Sequence, residues 1–242
     1  MDGQATVPWW KLFLDPLIPW GRSTYHRTHS SLPSCTIPFF LFVGVVCLCS
    51  YMLMTNDYFV EQILLKALGR AGTSEELEAA VRAREATQLA MRNPVMMATI
   101  ALEGGLVSAR SLLMVFILDH ALISAVSSRW SLLPESWKLF SLSTGVLMLG
   151  VLVNTLLKVI LLDENFVVGP SVFLSSFDNA NIVHSALKTS DCFSIWFLTV
   201  FSRKASGITG EKTWIIGMVS ACSWLIVHLV CILLGIRFAV MF

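Results

Sequence analysis

Long apolar runs alternate with polar segments along the chain, and the lengths of these runs predict its architecture. A helix needs about 20 apolar residues to cross the roughly 30 Å of hydrocarbon in a bilayer. Runs of this kind occupy residues 37–55, 107–127, 139–162 and 214–238. A shorter and more polar segment, 186–206, lies between the last two. We therefore predict an all-α, polytopic transmembrane helix bundle of about five spans.

Two segments are predicted to lie outside the hydrocarbon. Residues 1–36 contain tryptophans, which favour the headgroup level, and prolines, which prevent one long helix. We predict a short interfacial segment on the cytoplasmic side. Residues 56–105 are rich in glutamate and arginine, and Thr73 with a glutamate three residues later matches a helix capping box. We interpret this stretch as a solvated helix that ends by Asn93, before Pro94; the alternative is a helix that binds a partner.

The composition agrees with a membrane protein. Hydrophobic residues make up 55% of the 242 residues and charged residues 14%, whereas charged residues account for about a quarter of an ordinary soluble domain. The net charge of +1 argues against nucleic acid as a partner, because its recognition needs clustered basic side chains. The N-terminus has no basic region, and no small-residue cleavage site follows the first apolar run. We therefore expect the first span to act as its own insertion signal.

Ionisable residues inside the predicted spans are candidate functional residues, because a charge is costly in hydrocarbon. Asp119 and His120 are adjacent near the middle of span 107–127, which also carries Arg110 near one end. The alternative is structural: Asp119 pairs with a group inside the bundle, and His120 hydrogen-bonds to Ser124. Both interpretations stay open at this point.

Asn154 and Lys158 are one helical turn apart in the third span and therefore share a helix face. Lys158 is close enough to the end of the span to extend its ammonium group to the headgroups, which we favour. The alternative is an ion pair between Lys158 and Asp119. In a transport hypothesis, Asp119, His120, Asn154 and Lys158 line a polar path for a small solute or an ion.

No pattern points to catalysis or to a metal. His26, His29 and Cys35 form a zinc-like pattern without a fourth ligand, so we expect no metal site. The chain lacks a phosphate-binding glycine loop and the His-Glu-x-x-His and Gly-x-Ser-x-Gly motifs. We expect a non-enzymatic protein without catalytic residues or cofactor. As an alternative, His120 or His228 could be an axial ligand to a tetrapyrrole in an energy-converting complex.

The last span, 214–238, offers a surface for helix packing. Gly217 and Ala221 form a small-xxx-small pair, and Ser220, Ser223 and His228 lie close to one stripe. Small residues let helices approach closely. Our first hypothesis is therefore a scaffold or accessory subunit that packs against other membrane protein subunits.

The segment 186–206 has a carboxylate near its start. Asp191 follows two hydroxyl residues and suits the N-terminus of a helix, so we predict a capping role rather than a catalytic one. From Asp191 to Lys204 a helix would extend only about 21 Å. The span must therefore include residues 186–190 or continue toward Ile208.

Three short motifs extend over nearly the whole chain: Trp10 to Pro16, Arg92 to Pro94, and Ser190 to Trp196. They resemble motifs of the Yip-type (Ypt/Rab-interacting) domain family of small polytopic membrane proteins, in particular its bacterial branch. The resemblance implies a five-helix bundle with a cytoplasmic N-terminus, in which the third motif opens the fourth span. A run of apolar residues and Thr199 replaces the glycine-rich continuation of the family. The matching residues are Asp15, Pro16, Asn93, Pro94, Asp191, Phe193 and Trp196.

The basic residues agree with that orientation. With the N-terminus inside, the outer loop 163–190 carries only Lys188. The long segment between the first two spans has further basic residues, which glutamates offset. We expect the bacterial inner membrane, with the C-terminus on the side opposite to the cytoplasmic N-terminus. The short cytoplasmic segments carry Lys11, Arg22, Arg27, Arg129, Lys138, Arg203, Lys204 and Lys212.

Overall fold

The computed structural model describes residues 32–59, 61–62, 81–82, 93–127, 133–163, 166, 168 and 191–233. Five long α-helices account for most of these residues, and no strand occurs among them, which confirms the all-α fold class. The helices are α1 (Leu32–Met54), α2 (Pro94–Val126), α3 (Leu133–Leu161), α4 (Cys192–Thr209) and α5 (Thr213–Leu233).

Four of the helices have the length and composition of membrane spans. They are α1 over Thr36–Met54, α2 and α3 over their full lengths, and α5 over Thr213–Cys231. These helices indicate an integral membrane protein. The remaining helix, α4, has 18 residues, about 27 Å at 1.5 Å per residue, and includes the charged pair Arg203 and Lys204. It packs against α3 and α5 within the same bundle, so the architecture agrees with the predicted bundle of about five spans.

Helix α2 begins well before the predicted second span. The span was predicted over 107–127, whereas α2 begins at Pro94 and has 33 residues. Asn93 is its N-cap, and the Asn93 side chain accepts a hydrogen bond from the Val95 amide at 3.0 Å. Proline suits the first position of a helix because its missing N–H would have no partner there. The longer helix moves Arg110 from near one end of the span to its middle.

The start of α4 also differs from the prediction. Asp191 is extended (φ −68°, ψ 166°), and its side chain accepts a hydrogen bond from the Ser194 amide at 2.6 Å. The predicted capping role is confirmed, whereas the helix begins at Cys192 rather than at residue 186. At the other end α4 continues to Thr209 and stops at Gly210, which adopts the left-handed conformation (φ 76°).

Contacts between helices show that consecutive helices run in opposite directions. The Trp137 indole donates to Thr36 at 3.3 Å, which places the start of α3 beside the start of α1. Ser136 lies 2.9 Å from the His120 ring, beside the end of α2. Near the other end of α3, Asn154 contacts Asp191 before α4. The helices close into a ring in the order α2, α1, α3, α4, α5 and back to α2.

Aromatic side chains fill the interior of this ring. The Phe140 ring of α3 lies 5.2 Å from Phe116 of α2 and 5.5 Å from Phe197 of α4. Phe197 in turn lies 5.8 Å from Trp224 of α5. Phe140, Phe197 and Trp224 are almost completely buried. These rings form an aromatic cluster that connects four of the helices, and many buried serine and threonine hydroxyls lie around it.

Two glycines allow close approach between helices. A Cβ on Gly105 of α2 would collide with the Cys47 sulfur of α1. A Cβ on Gly150 of α3 would lie 2.6 Å from the Cβ of Phe193 on α4. These two contacts fix the relative depths of the neighbouring helices, and the second involves a residue of the predicted family motif.

Several predictions fall outside the described residues. They concern the interfacial N-terminal segment with Asp15 and Pro16, the capping box at Thr73, and the side chains of the zinc-like pattern, His26, His29 and Cys35.

Candidate functional site

Asp119 of α2 is the most unusual polar residue in the described part of the bundle. Its side chain is 0% exposed, and neither carboxylate oxygen has a hydrogen-bond partner among the described residues. Buried polar groups are normally hydrogen-bonded, and a buried charge is normally paired. Asp119 therefore has no charged partner and no hydrogen bond of normal geometry in the described structure.

Hydroxyl groups of α5 face this carboxylate. Ser220 and Ser223 both interact with Asp119 electrostatically, without reaching hydrogen-bond geometry. The Ser220 hydroxyl has no hydrogen-bond partner, whereas the Ser223 hydroxyl donates to the Val219 carbonyl at 3.1 Å. Both serines are completely buried. We call Asp119, Ser220 and Ser223 the carboxylate centre.

The chemistry of the carboxylate centre suits a small hard cation. It combines one carboxylate with two hydroxyl oxygens, and hard cations prefer oxygen ligands. A monovalent cation, or a proton on the carboxyl group, would neutralise the single negative charge. A divalent ion would leave an excess positive charge in an apolar interior. The centre therefore fits a proton or an alkali ion better than Mg²⁺ or Ca²⁺.

His120 points to a different helix from Asp119. Its ring nitrogen Nδ1 lies 2.9 Å from the Ser136 hydroxyl of α3, and its ring stacks on Phe116 at 6.0 Å. The expected hydrogen bond between Ser124 and His120 is present: the Ser124 hydroxyl donates to the His120 backbone carbonyl at 2.6 Å. Adjacent residues on a helix point about 100° apart, which separates the His120 contacts from the carboxylate centre.

Asn154 takes part in a structural link between α3 and α4. Its amide nitrogen donates to Asp191 Oδ2 at 3.0 Å, and its carbonyl oxygen accepts from the Val168 amide at 3.1 Å. The Cys192 amide donates to the Val168 carbonyl at 2.8 Å. Asn154 thus ties the start of α4 and the segment near Val168 to α3, and we call this group the α3–α4 link.

Lys158 lies near the same end of α3, and two expectations about it were wrong. The side chain is 3% exposed, so it is buried inside the protein rather than extended toward the headgroups. An ion pair with Asp119 is excluded because the two residues lie at opposite ends of the bundle. Asp119 precedes His120, which lies beside Ser136 of α3. Lys158 lies 22 residues farther along α3 than Ser136, about 33 Å away.

The four residues of the predicted polar path therefore form two groups at opposite ends of the bundle. Asp119 and His120 lie toward the end where α2 meets α3, and Asn154 and Lys158 lie toward the end where α4 begins. Of these four residues, only Asp119 has buried side-chain atoms without a hydrogen-bond partner among the described residues. The candidate site is consequently the carboxylate centre rather than a path through all four residues.

The second histidine considered as an axial ligand, His228, is buried in α5. Its Nδ1 lies 2.6 Å from the Trp224 carbonyl, and its ring lies 4.7 Å from the Trp224 ring. Within the described ranges, no group of three His, Cys, Asp or Glu side chains could hold a metal ion. The tetrapyrrole alternative stays a prediction without a structural observation in its favour.

Comparison with known proteins finds no match: no family model, no curated protein and no solved structure resembles the chain. The resemblance to the Yip-type family therefore stays a prediction. Of its motif residues, Asp191 has a defined role as a helix cap, and Phe193 packs against Gly150.

Sequence reasoning found Asp119 but missed its surroundings. Ser220 and Ser223 were noticed on one stripe of α5, yet no sequence signal links that stripe to α2 about a hundred residues earlier. Ser136 was missed because the third span was predicted to begin at residue 139, whereas α3 begins at Leu133.

Proposed function

We propose that this protein is an integral membrane transport protein that binds a proton or an alkali cation at the carboxylate centre. One observation carries the proposal: both oxygens of Asp119 are buried and make no hydrogen bond of normal geometry with the described residues. Intramembrane ionisable residues commonly mark ion or substrate pathways.

The alternative, a purely structural carboxylate, fits the surroundings less well. A structural Asp is held by donors, as Asp191 is by Ser194 and Asn154. Asp119 faces only the Ser220 and Ser223 hydroxyls, neither of which reaches normal hydrogen-bond geometry with it, and a buried carboxylate without a charged partner must be neutralised. A reversibly bound cation supplies that neutralisation and can be released when helices α2 and α5 move apart.

Ion flux into proteoliposomes tests the proposal. Full-length protein would be reconstituted with a pH-sensitive dye inside the vesicles, and separately with a sodium-sensitive dye, under a proton or sodium gradient. We expect flux of one of these ions, and we expect Asp119→Asn to lower it by at least about tenfold, the scale of one lost ion contact. Glu103→Gln is the matched control, because Glu103 is an exposed carboxylate on the same helix.

The pH-sensitive and sodium-sensitive dyes show which of the two ions is transported. Glu103→Gln shows whether the loss of any carboxylate on α2 would lower the flux. Wild-type flux equal to that of empty vesicles for both ions would refute the proposal, as would full flux in Asp119→Asn. Unfolding measurements on each variant would show whether a loss of flux reflects a loss of fold.

A second function, an accessory subunit that packs against other membrane proteins, is supported by a different residue. Arg110 lies on the outer surface of α2 at its middle. A location in the bacterial inner membrane with a cytoplasmic N-terminus belongs to the same proposal and rests on the distribution of basic residues.

A further inference from the structure

Arg110 occupies an unusual place for a charged residue. It is exposed on α2, in the middle of a stripe of exposed apolar side chains that faces away from the bundle. Arg110 forms no ion pair with any of the described residues. The neighbours in this stripe are Leu106, Leu113, Met114 and Ile117, which are 59%, 39%, 40% and 65% exposed.

The depth of Arg110 follows from the contacts between α1 and α2. Gly105 lies beside Cys47, and Phe116 and Phe39 both pack on Trp137. Both contacts place Arg110 beside the middle of the α1 span Thr36–Met54. At 1.5 Å per residue the Arg110 backbone lies within about 5 Å of the centre of the hydrocarbon.

Lipid alone is a poor environment for this side chain. Helical side chains point toward the N-terminus of their helix, and the N-terminal end of α2 lies on the Met54 side of the bundle. The Arg110 side chain is therefore directed along the hydrocarbon core rather than toward the nearer surface. A guanidinium group at this depth is costly unless another group neutralises it.

A second copy of the chain in the same orientation does not supply that group. In a dimer with a two-fold axis along the membrane normal, each residue lies at the same depth in the membrane as its counterpart, so Arg110 of one copy would face Arg110 of the other. Glu103 is the exposed carboxylate nearest along this face, and it lies about 10 Å away along the helix axis. Like charges at one depth disfavour such a dimer.

We propose that the α2 face around Arg110 binds a transmembrane helix of another membrane protein that carries an aspartate or glutamate near the bilayer centre. The apolar neighbours of Arg110 supply packing area, and the guanidinium group pairs with the carboxylate of the partner. The interaction does not depend on the carboxylate centre, because Asp119 is buried and faces α5.

Site-specific photo-crosslinking in native membranes tests this inference. A photoreactive residue would replace Leu106 or Leu113 in the tagged full-length chain, one turn on either side of Arg110. Leu156 of α3, which is 58% exposed, is the matched control position. We expect a protein adduct from the α2 positions and none from Leu156. The cross-linked peptide should be a transmembrane segment that contains Asp or Glu.

Charge variants complete the test. Arg110→Leu should lower the adduct about tenfold, whereas Arg110→Lys should keep most of it, since intramembrane polar pairs are worth up to about tenfold in affinity. Arg110→Leu should fold normally, because the charge that it removes faces outward. Replacing the carboxylate of the partner by its amide should also remove the adduct. An adduct with lipid only, an adduct with a second copy of this chain, or an adduct unchanged in Arg110→Leu would overturn the proposal.

Discussion

Replacing Gly150 by alanine tests the packing of α3 against α4. The new Cβ would lie 2.6 Å from Cβ, 2.7 Å from Cγ and 3.1 Å from Cδ2 of Phe193. The Phe193 Cβ is attached to the α4 backbone, so no rotation of the ring relieves the closest contact. The two helices must separate, and we expect the fold to be destabilised by about 1–3 kcal/mol, the usual cost of overpacking.

A second glycine isolates the steric effect. Gly44 of α1 has no atom within 4 Å of an added Cβ, so Gly44→Ala should gain about 0.5–1 kcal/mol from helix propensity alone. Gly150→Ala receives the same gain, and the difference between the two variants therefore measures the clash. Phe193→Ala should rescue Gly150→Ala only partly, because it removes the ring and keeps the Cβ.

Unfolding in mixed detergent micelles, followed with a thiol-reactive dye, provides the assay. Cys49 and Cys231 are buried, at 2% and 1% exposure, and become reactive only when the bundle opens. At about 2–4 °C per kcal/mol for a chain of this size, Gly150→Ala should unfold several degrees below Gly44→Ala. Equal midpoints for the two variants would refute the close α3–α4 contact.

The same assay tests two further contacts. Asn154→Ala should cost about 1–3 kcal/mol, because it removes both side-chain hydrogen bonds of Asn154, to Asp191 Oδ2 and to the Val168 amide; Thr199→Ala, at an exposed hydroxyl, is its control and should change little. Gly105→Ala should cost about 1–3 kcal/mol, and Cys47→Ala should restore most of that loss by removing the sulfur that the new Cβ meets. No rescue by Cys47→Ala would contradict the proposed depth of α2 against α1.

Hydropathy predicted the helices well because the apolar runs are long, but it misplaced the start of α2. The dipeptide Asn93-Pro94 fits the end of one helix and the start of the next equally well, and Glu103 interrupts the apolar run that follows. The structure resolves this ambiguity through the Asn93 cap. The 13 additional residues changed the interpretation of Arg110 from a residue near a helix end to one at the middle of α2.

The candidate site was only partly predictable for a similar reason. An ionisable residue inside an apolar run is visible in the sequence, as Asp119 was. Which helix it faces depends on how each helix is rotated, and packing between aromatic residues such as Phe140 and Phe197 sets that rotation. The burial of Lys158 was equally hidden, because it depends on how the rest of the chain packs around α3 and not on the position of the residue in the apolar run.

The central claim is that Asp119 binds and releases a cation inside the membrane, and difference infrared spectroscopy of the reconstituted protein measures this directly. The spectrum reports the protonation and ion contacts of carboxyl groups when pH is changed or Na⁺ is added. Other carboxyl groups of the chain also respond to pH, so the informative signal is the part of the spectrum that differs between variants. We expect a reversible carboxyl band that the wild type and Glu103→Gln share and that Asp119→Asn lacks. A response to pH and Na⁺ that is identical in the wild type and in Asp119→Asn would contradict the account.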